Sequence, residues 1–190
     1  MPCAAQFFAE RSAEHNLARG KWEKAYGQLI KLKAKDSANA VVDFLLSQYY
    51  LQVGNRARQL DSANQFLKKS ALNFQNASQK VRDRWKRFPL DSTQLQQTRA
   101  RIDSMAFQRA ADFNTVGGYE FFLFEYAGAA QEQLATELLH EVAYVNALRL
   151  NTSHAFYTYL QSYPGASRYA DARMHYEKLL YQEQTVDKRL

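Results

Sequence analysis

The sequence predicts an all-α protein built as a stack of about five helical hairpins. Three observations carry that reading. Part of the chain is written twice: Ile102, Ala106, Phe107, Ala110, Asn114-Thr115, Tyr119, Leu123, Tyr126 and Gly128-Ala129 return as Leu139, Ala143, Tyr144, Ala147, Asn151-Thr152, Phe156, Leu160, Tyr163 and Gly165-Ala166, always 37 residues on. A fixed period of this size marks units that bury their apolar faces only against each other. Glycine (7) and proline (3) are scarce in 190 residues, which suits helices and starves β-hairpins of turn residues. A hydrophobic content of 46% is enough to fold, yet no apolar run approaches the ~18 residues of a membrane span.

The first hairpin centres on Gly20, a tight turn between helices, followed by Trp22, Ala25, Leu29 and Leu32 at helical spacing and by the capping run Asp36-Ser37-Ala38-Asn39. A second unit places Leu46, Ser47 and Tyr50 on its first helix and Gly54 at the turn, 34 residues beyond Gly20. Ala63 stands 38 residues beyond Ala25, so about four residues near Arg56 to Gln59 read as an insertion. Its second helix is expected from about Leu60 to Phe74.

A basic segment follows, Gln79 to Pro89. Val81, Trp85 and Phe88 form an apolar stripe on it, and Lys80, Arg84 and Arg87 a cationic one. Proline disfavours helix at the residue before it, so this helix is expected to end at Pro89. Asp91-Ser92-Thr93 offers N-caps for a long helix carrying Leu95, Ile102, Met105 and Phe107. In the 37-residue copies, Asn-Thr reads as a cap between two helices, and the alanine pairs Ala106/Ala110 and Ala143/Ala147 permit close packing. Leu179-Leu180-Tyr181 opens a third copy, and Thr185 to Leu190 reads as the cap and first turn of another helix. The expected organisation is two hairpins over 1–75, basic connecting helices over 76–101 and the repeats over 102–190. They would form one continuous solenoid, expected to be the N-terminal part of a longer protein.

Two stretches resemble known repeats. Gly20, Trp22, Ala25, Leu29, Leu32 and Asp36 fit the tetratricopeptide repeat (TPR), with Ser37 in place of its usual proline. Phe156, Tyr159-Leu160, Tyr163-Pro164, Ser167 and Ala172 resemble the signature of TPR-like proteins of the bacterial cell envelope, such as the outer-membrane assembly lipoprotein BamD and the partners of the Tol-Pal system. The resemblance implies a right-handed α-α superhelix that binds protein or peptide, in the periplasm or at the outer membrane, with the cytoplasm as the alternative. It also implies that the first helix of each pair lines a concave groove, which points to Glu14, Phe44, Gln48 and Leu51 as peptide-binding residues. Phe44 and Leu51 could equally be packing residues. These four do not form the carboxylate clamp of chaperone-binding TPRs, so an acidic C-terminal tail is not the expected ligand.

The formal charge of +6 is uneven: residues 1–105 hold 18 Lys+Arg against 9 Asp+Glu, and residues 106–190 hold 7 against 10. The alternative function is therefore a nucleic-acid or anionic-surface binder using Lys80, Arg84, Arg87, Arg99 and Arg101. Asp83 interrupts that run, and nucleic acid is not the expected partner. A regulatory domain of a larger enzyme is the other alternative. The single cysteine, Cys3, allows no internal disulfide. It reads either as an incidental thiol or as the lipid-bearing residue of a mature lipoprotein whose signal sequence is missing here.

Chemistry-bearing motifs are few. His140-Glu141-Val142-Ala143-Tyr144 misses the zinc-protease pattern because Tyr144 stands where the second imidazole is needed, and Tyr144 aligns with the packing aromatic Phe107. His15, His154 and His175 lie far apart and suit surface or capping roles. Gly117-Gly118 lacks the strand–turn–helix context of a nucleotide fingerprint and reads as close packing at a helix start. Glu137 and Glu141 read as a solvated helix face. The expectation is a non-enzymatic chain with no cofactor and no metal.

Overall fold

A computed structural model describes residues 4–52, 54–55 and 59–186. Cys3, the core of the expected insertion (Arg56 to Arg58) and the terminal residues 187–190 lie outside them. Among the described residues the chain is all-α, with ten helices and no strand: α1 Ala4–Ala18, α2 Trp22–Lys35, α3 Ala40–Leu51, α4 Leu60–Asn76, α5 Gln79–Trp85, α6 Ser92–Phe113, α7 Val116–Glu125, α8 Glu132–Leu150, α9 Ser153–Ser162 and α10 Tyr169–Val186. The chain divides into two compact units, with the division inside α6 between Ile102 and Asp103.

In the first unit α1 pairs with α2, and α3 with α4. The turn between α1 and α2 is made by Gly20, whose φ of +69° lies in the left-handed region that favours glycine. Trp22 opens α2 and packs its indole beside both Gly20 and Gly54. Ala25, Leu29 and Leu32 bury the face of α2 that their spacing predicts. The Asn39 side chain caps α3 by accepting from the backbone N–H groups of Val41 and Val42, at 3.0 and 3.2 Å.

Polar pins surround the start of α3. Asn39 Nδ2 donates to Glu10 on α1 at 2.6 Å. Lys33 on α2 pairs with Asp43 at 2.6 Å. From α4, Asn73 donates to Asp43 at 2.8 Å and Ser70 to the Ala40 carbonyl at 2.8 Å. Buried charge is tolerated only when partnered in this way. Burial still dominates for the two carboxyls: it pushes Glu10 and Asp43 above their ordinary values, against the hydrogen bonds from Asn39 and Lys33.

The basic segment differs from expectation. Helix α5 ends at Trp85 rather than at Pro89, because the chain turns back with Phe88 N–H donating to the Trp85 carbonyl at 2.8 Å. The turn buries Trp85, Phe88 and Leu90. Asp91 then caps α6, its carboxylate accepting from Gln94 N–H at 2.8 Å.

In the second unit the written repeat becomes a structural one. α7 and α9 begin and end 37 residues apart, as do the starts of α8 and α10 and the ends of α6 and α8. Asn114 and Asn151 both take left-handed backbone, with φ of 46° and 48°. The following threonines each cap the next helix at 3.1 Å, Thr115 from Gly118 N–H and Thr152 from Ala155 N–H. Gly118 fits closely under its cap, where a Cβ would stand 3.0 Å from Thr115 Oγ1, yet Ala155 takes the same place in the second copy. Phe107 meets Phe122 edge-on at 5.7 Å, and Tyr144 meets Tyr159 edge-on at the same distance. Even the polar locks recur in register. Gln131 donates to Ser104 at 3.1 Å in one copy, and Arg168 pairs with Glu141 at 3.3 Å in the next.

Two expectations fail in this unit. Thr185 does not begin a new helix; it lies within α10 and donates back to the Tyr181 carbonyl at 2.9 Å. His175 is half-buried with its ring stacked on buried Phe156 at 4.9 Å, so it packs rather than caps. His15, in the last turn of α1, and His154, in the first turn of α9, are exposed.

Candidate protein-binding surface

The face expected to bind peptide in the first unit is closed. Phe44 and Leu51 are 4% and 1% exposed; they are core residues, and the expectation that they line a groove is corrected. All of α3 from Ala40 to Ser47 is buried, because α1, α2 and α4 pack on it and Gln48 is held by Thr98 of α6 at 3.2 Å. Glu14 pairs with Arg11 at 2.8 Å. Arg11 also lays its guanidinium 4.7 Å from the Phe88 ring centroid and donates to the Arg87 carbonyl, while Phe88 packs on Phe7 at 5.5 Å. Arg87 and Phe88 thus pack on Arg11 and Phe7 of α1, and Thr98 takes up Gln48 of α3.

The same packing breaks up the cationic line. Arg87 lies over the Phe7 ring at 5.5 Å, and Arg84 stands close enough to Glu10 to offset part of its upward shift. Arg99 is half-buried and engaged, whereas Lys80 and Arg101 are exposed. Lys86 is paired with Asp83 at 2.7 Å.

A different surface stands open in the second unit, on α8. Leu134, Leu138, Glu141, Val145 and Leu148 recur at intervals of four and three, which sets them on one stripe of a helix. The opposite side of α8 is committed to the core through Ala135, Leu139 and Ala147. Leu134, Val145 and Leu148 are 47%, 50% and 38% exposed. From Leu134 to Leu148 the stripe runs about 21 Å at ~1.5 Å per residue.

Beside the N-terminal half of the stripe lies an open groove of about 1000 Å³, bounded by α8 and by Gly165 and Ser167 of the turn after α9. Leu134 and Leu138 give it apolar wall, and Glu132, Glu137 and Glu141 give it carboxylates. Each carboxylate is held in place: Glu132 accepts from Gly128 N–H at 2.7 Å, Glu137 from Gln133 at 3.1 Å, and Glu141 pairs with Arg168. Arg168 in turn sits 5.7 Å from the Tyr144 ring centroid.

His140 lines the groove too, but its ring packs 5.1 Å from that of Tyr163, and Tyr144 packs on Phe156 and Tyr159. Among the described residues no group of three or more His, Cys, Asp or Glu side chains could hold a metal. The arrangement offers apolar contact and negative charge along a helix-length track. Matched against known proteins, the chain finds no family model, no curated protein and no solved structure. The TPR resemblance therefore rests on the residues that carry it.

The spacing of Leu134, Leu138, Val145 and Leu148 was present in the sequence. It was masked by the stronger line of alanines and aromatics on the other side of the same helix.

Proposed function

We propose that this chain is a non-catalytic helical-repeat scaffold that binds a protein segment along α8. The observation that carries the reading is the stripe of exposed Leu134, Val145 and Leu148 with half-buried Leu138, running beside a carboxylate-rimmed groove. Covering half-exposed leucine and valine side chains is worth roughly 1 kcal/mol each, enough for reversible association once side-chain ordering is charged against it. Glu132 and Glu137, which have neutral partners only, favour lysine or arginine on the partner, so its chemistry is that of a basic segment with apolar anchors three and four residues apart. The right-handed superhelix belongs to the same proposal, as does a setting in the bacterial envelope, which rests on the resemblance of residues 156–172. Fractionation of cells expressing the full reading frame tests the setting.

The binding reading is tested with synthetic amphipathic peptides of that pattern, in basic and acidic versions, by fluorescence anisotropy. The basic peptides are expected to bind more tightly, and Leu134→Lys with Val145→Lys to weaken them at least about tenfold, or ~1.4 kcal/mol, with the circular-dichroism spectrum unchanged. Equal binding by wild type and variant, or no binding by either, ends the reading.

A further inference from the structure

The two copies of the repeat separate what the fold requires from what it does not. α7 and α9 have the same length, the same threonine cap and the same buried positions, Tyr119 with Phe156 and Phe122 with Tyr159. Their outer faces differ. Where α9 carries Thr158 and Gln161, α7 carries Phe121 and Phe124, 37 residues earlier. The helix is built equally well with either pair, so the two phenylalanines are surplus to the architecture.

Phe113, at the end of α6, joins them. Its Cβ lies 3.6 Å from where a Cβ on Gly118 would stand, and Arg109, one turn before Phe113, lays its guanidinium 5.5 Å from the Phe121 centroid. Phe113, Phe121 and Phe124 are 67%, 45% and 81% exposed. At about 200 Å² per ring, they offer about 390 Å² of aromatic surface on one ridge.

We infer that this ridge is a self-association surface, on which a second copy of the chain packs α7 against α7 about a twofold axis. The area is what chooses the occupant. A stable interface covers about 800 Å² per partner, of which some 65% is apolar in homodimers. Wholly covered, the three rings supply about three quarters of that apolar share, or somewhat under half of the whole area. A ridge needs a facing apolar surface of its own kind, and an isologous contact supplies one by symmetry. This surface lies on α6 and α7, and nothing in it depends on the α8 groove.

Sedimentation equilibrium over about a hundredfold range of concentration reads the result, because self-association shifts with concentration by mass action. Wild type is expected to be a reversible dimer. Phe121→Thr with Phe124→Gln, which installs the residues α9 already uses at those positions, is expected to be monomeric over the same range with an unchanged far-ultraviolet spectrum. In a Cys3→Ala background, Phe124→Cys is expected to form a disulfide-linked dimer on mild oxidation. A wild type that stays monomeric throughout overturns the inference, and so does a dimer that persists in the double variant.

Discussion

Tyr159 is buried with no hydrogen-bond partner for its hydroxyl, and burial pushes its phenol up to about 12. An orphaned buried hydroxyl costs about 1–3 kcal/mol of desolvation. One copy earlier the same position is Phe122, in the same edge-on contact. Tyr159→Phe should therefore raise stability by about 1 kcal/mol in urea titration, whereas Tyr119→Phe, which loses a bond to Asn114 at 3.2 Å, should lower it. Glu10 makes a second residue-scale prediction. Its native pKa lies above the ordinary 4.5, so the unfolded chain ionises first as pH rises, and the folded state holds the extra proton. Stability contributed through this group falls from pH 4.5 upward until the native carboxyl has also ionised. Glu10→Gln keeps an acceptor for Asn39 and removes the titration. The variant should gain on wild type across that window and by a constant amount above it, as followed by melts at successive pH values. A constant difference throughout would show that Glu10 is not held up by burial.

At the scale of elements, the caps between helices are the parts of this chain most open to test. Asn114 and Asn151 sit in left-handed backbone, where a β-carbon costs about 1–2 kcal/mol and asparagine is tolerated through its short polar side chain. Asn151→Ala should cost about 1 kcal/mol and Asn151→Gly should be neutral or better, whereas Asn114→Gly should be destabilising because it also removes the acceptor of the buried Tyr119 hydroxyl. Thr152→Ala should cost a further ~1 kcal/mol. A thermal melt of each variant decides. These caps were legible because Asn-Thr recurs with the repeat and its chemistry is local. The end of α5 was not: Pro89 marks a limit beyond which helix cannot run, but the turn came four residues sooner because Phe88 is drawn onto Phe7 of α1. The burial of Phe44 and Leu51 was hidden for the same kind of reason. Spacing along α3 tells which residues share a face, and only tertiary packing decides that α1, α2 and α4 all close on that helix.

Over the whole molecule, residues 1–102 hold 18 Lys+Arg against 8 Asp+Glu, and residues 103–190 hold 7 against 11. The basic half spends several of its cations on its own aromatics and carboxylates, including Arg11, Lys33 and Arg87. Retention on heparin should accordingly be weak and lost by moderate salt, and Lys80→Gln with Arg101→Gln should weaken it further. Strong retention that survives those changes would revive the nucleic-acid reading. The recurring lock between copies has its own bearing on salt. At one junction it is a neutral hydrogen bond between Gln131 and Ser104, and at the next an ion pair between Arg168 and Glu141. Added electrolyte screens the second and leaves the first alone. The same structural joint has thus been made twice in different materials, so ionic strength should loosen α9 and α10 while the preceding hairpin stays as it is. Hydrogen exchange at low and high salt would record that difference helix by helix.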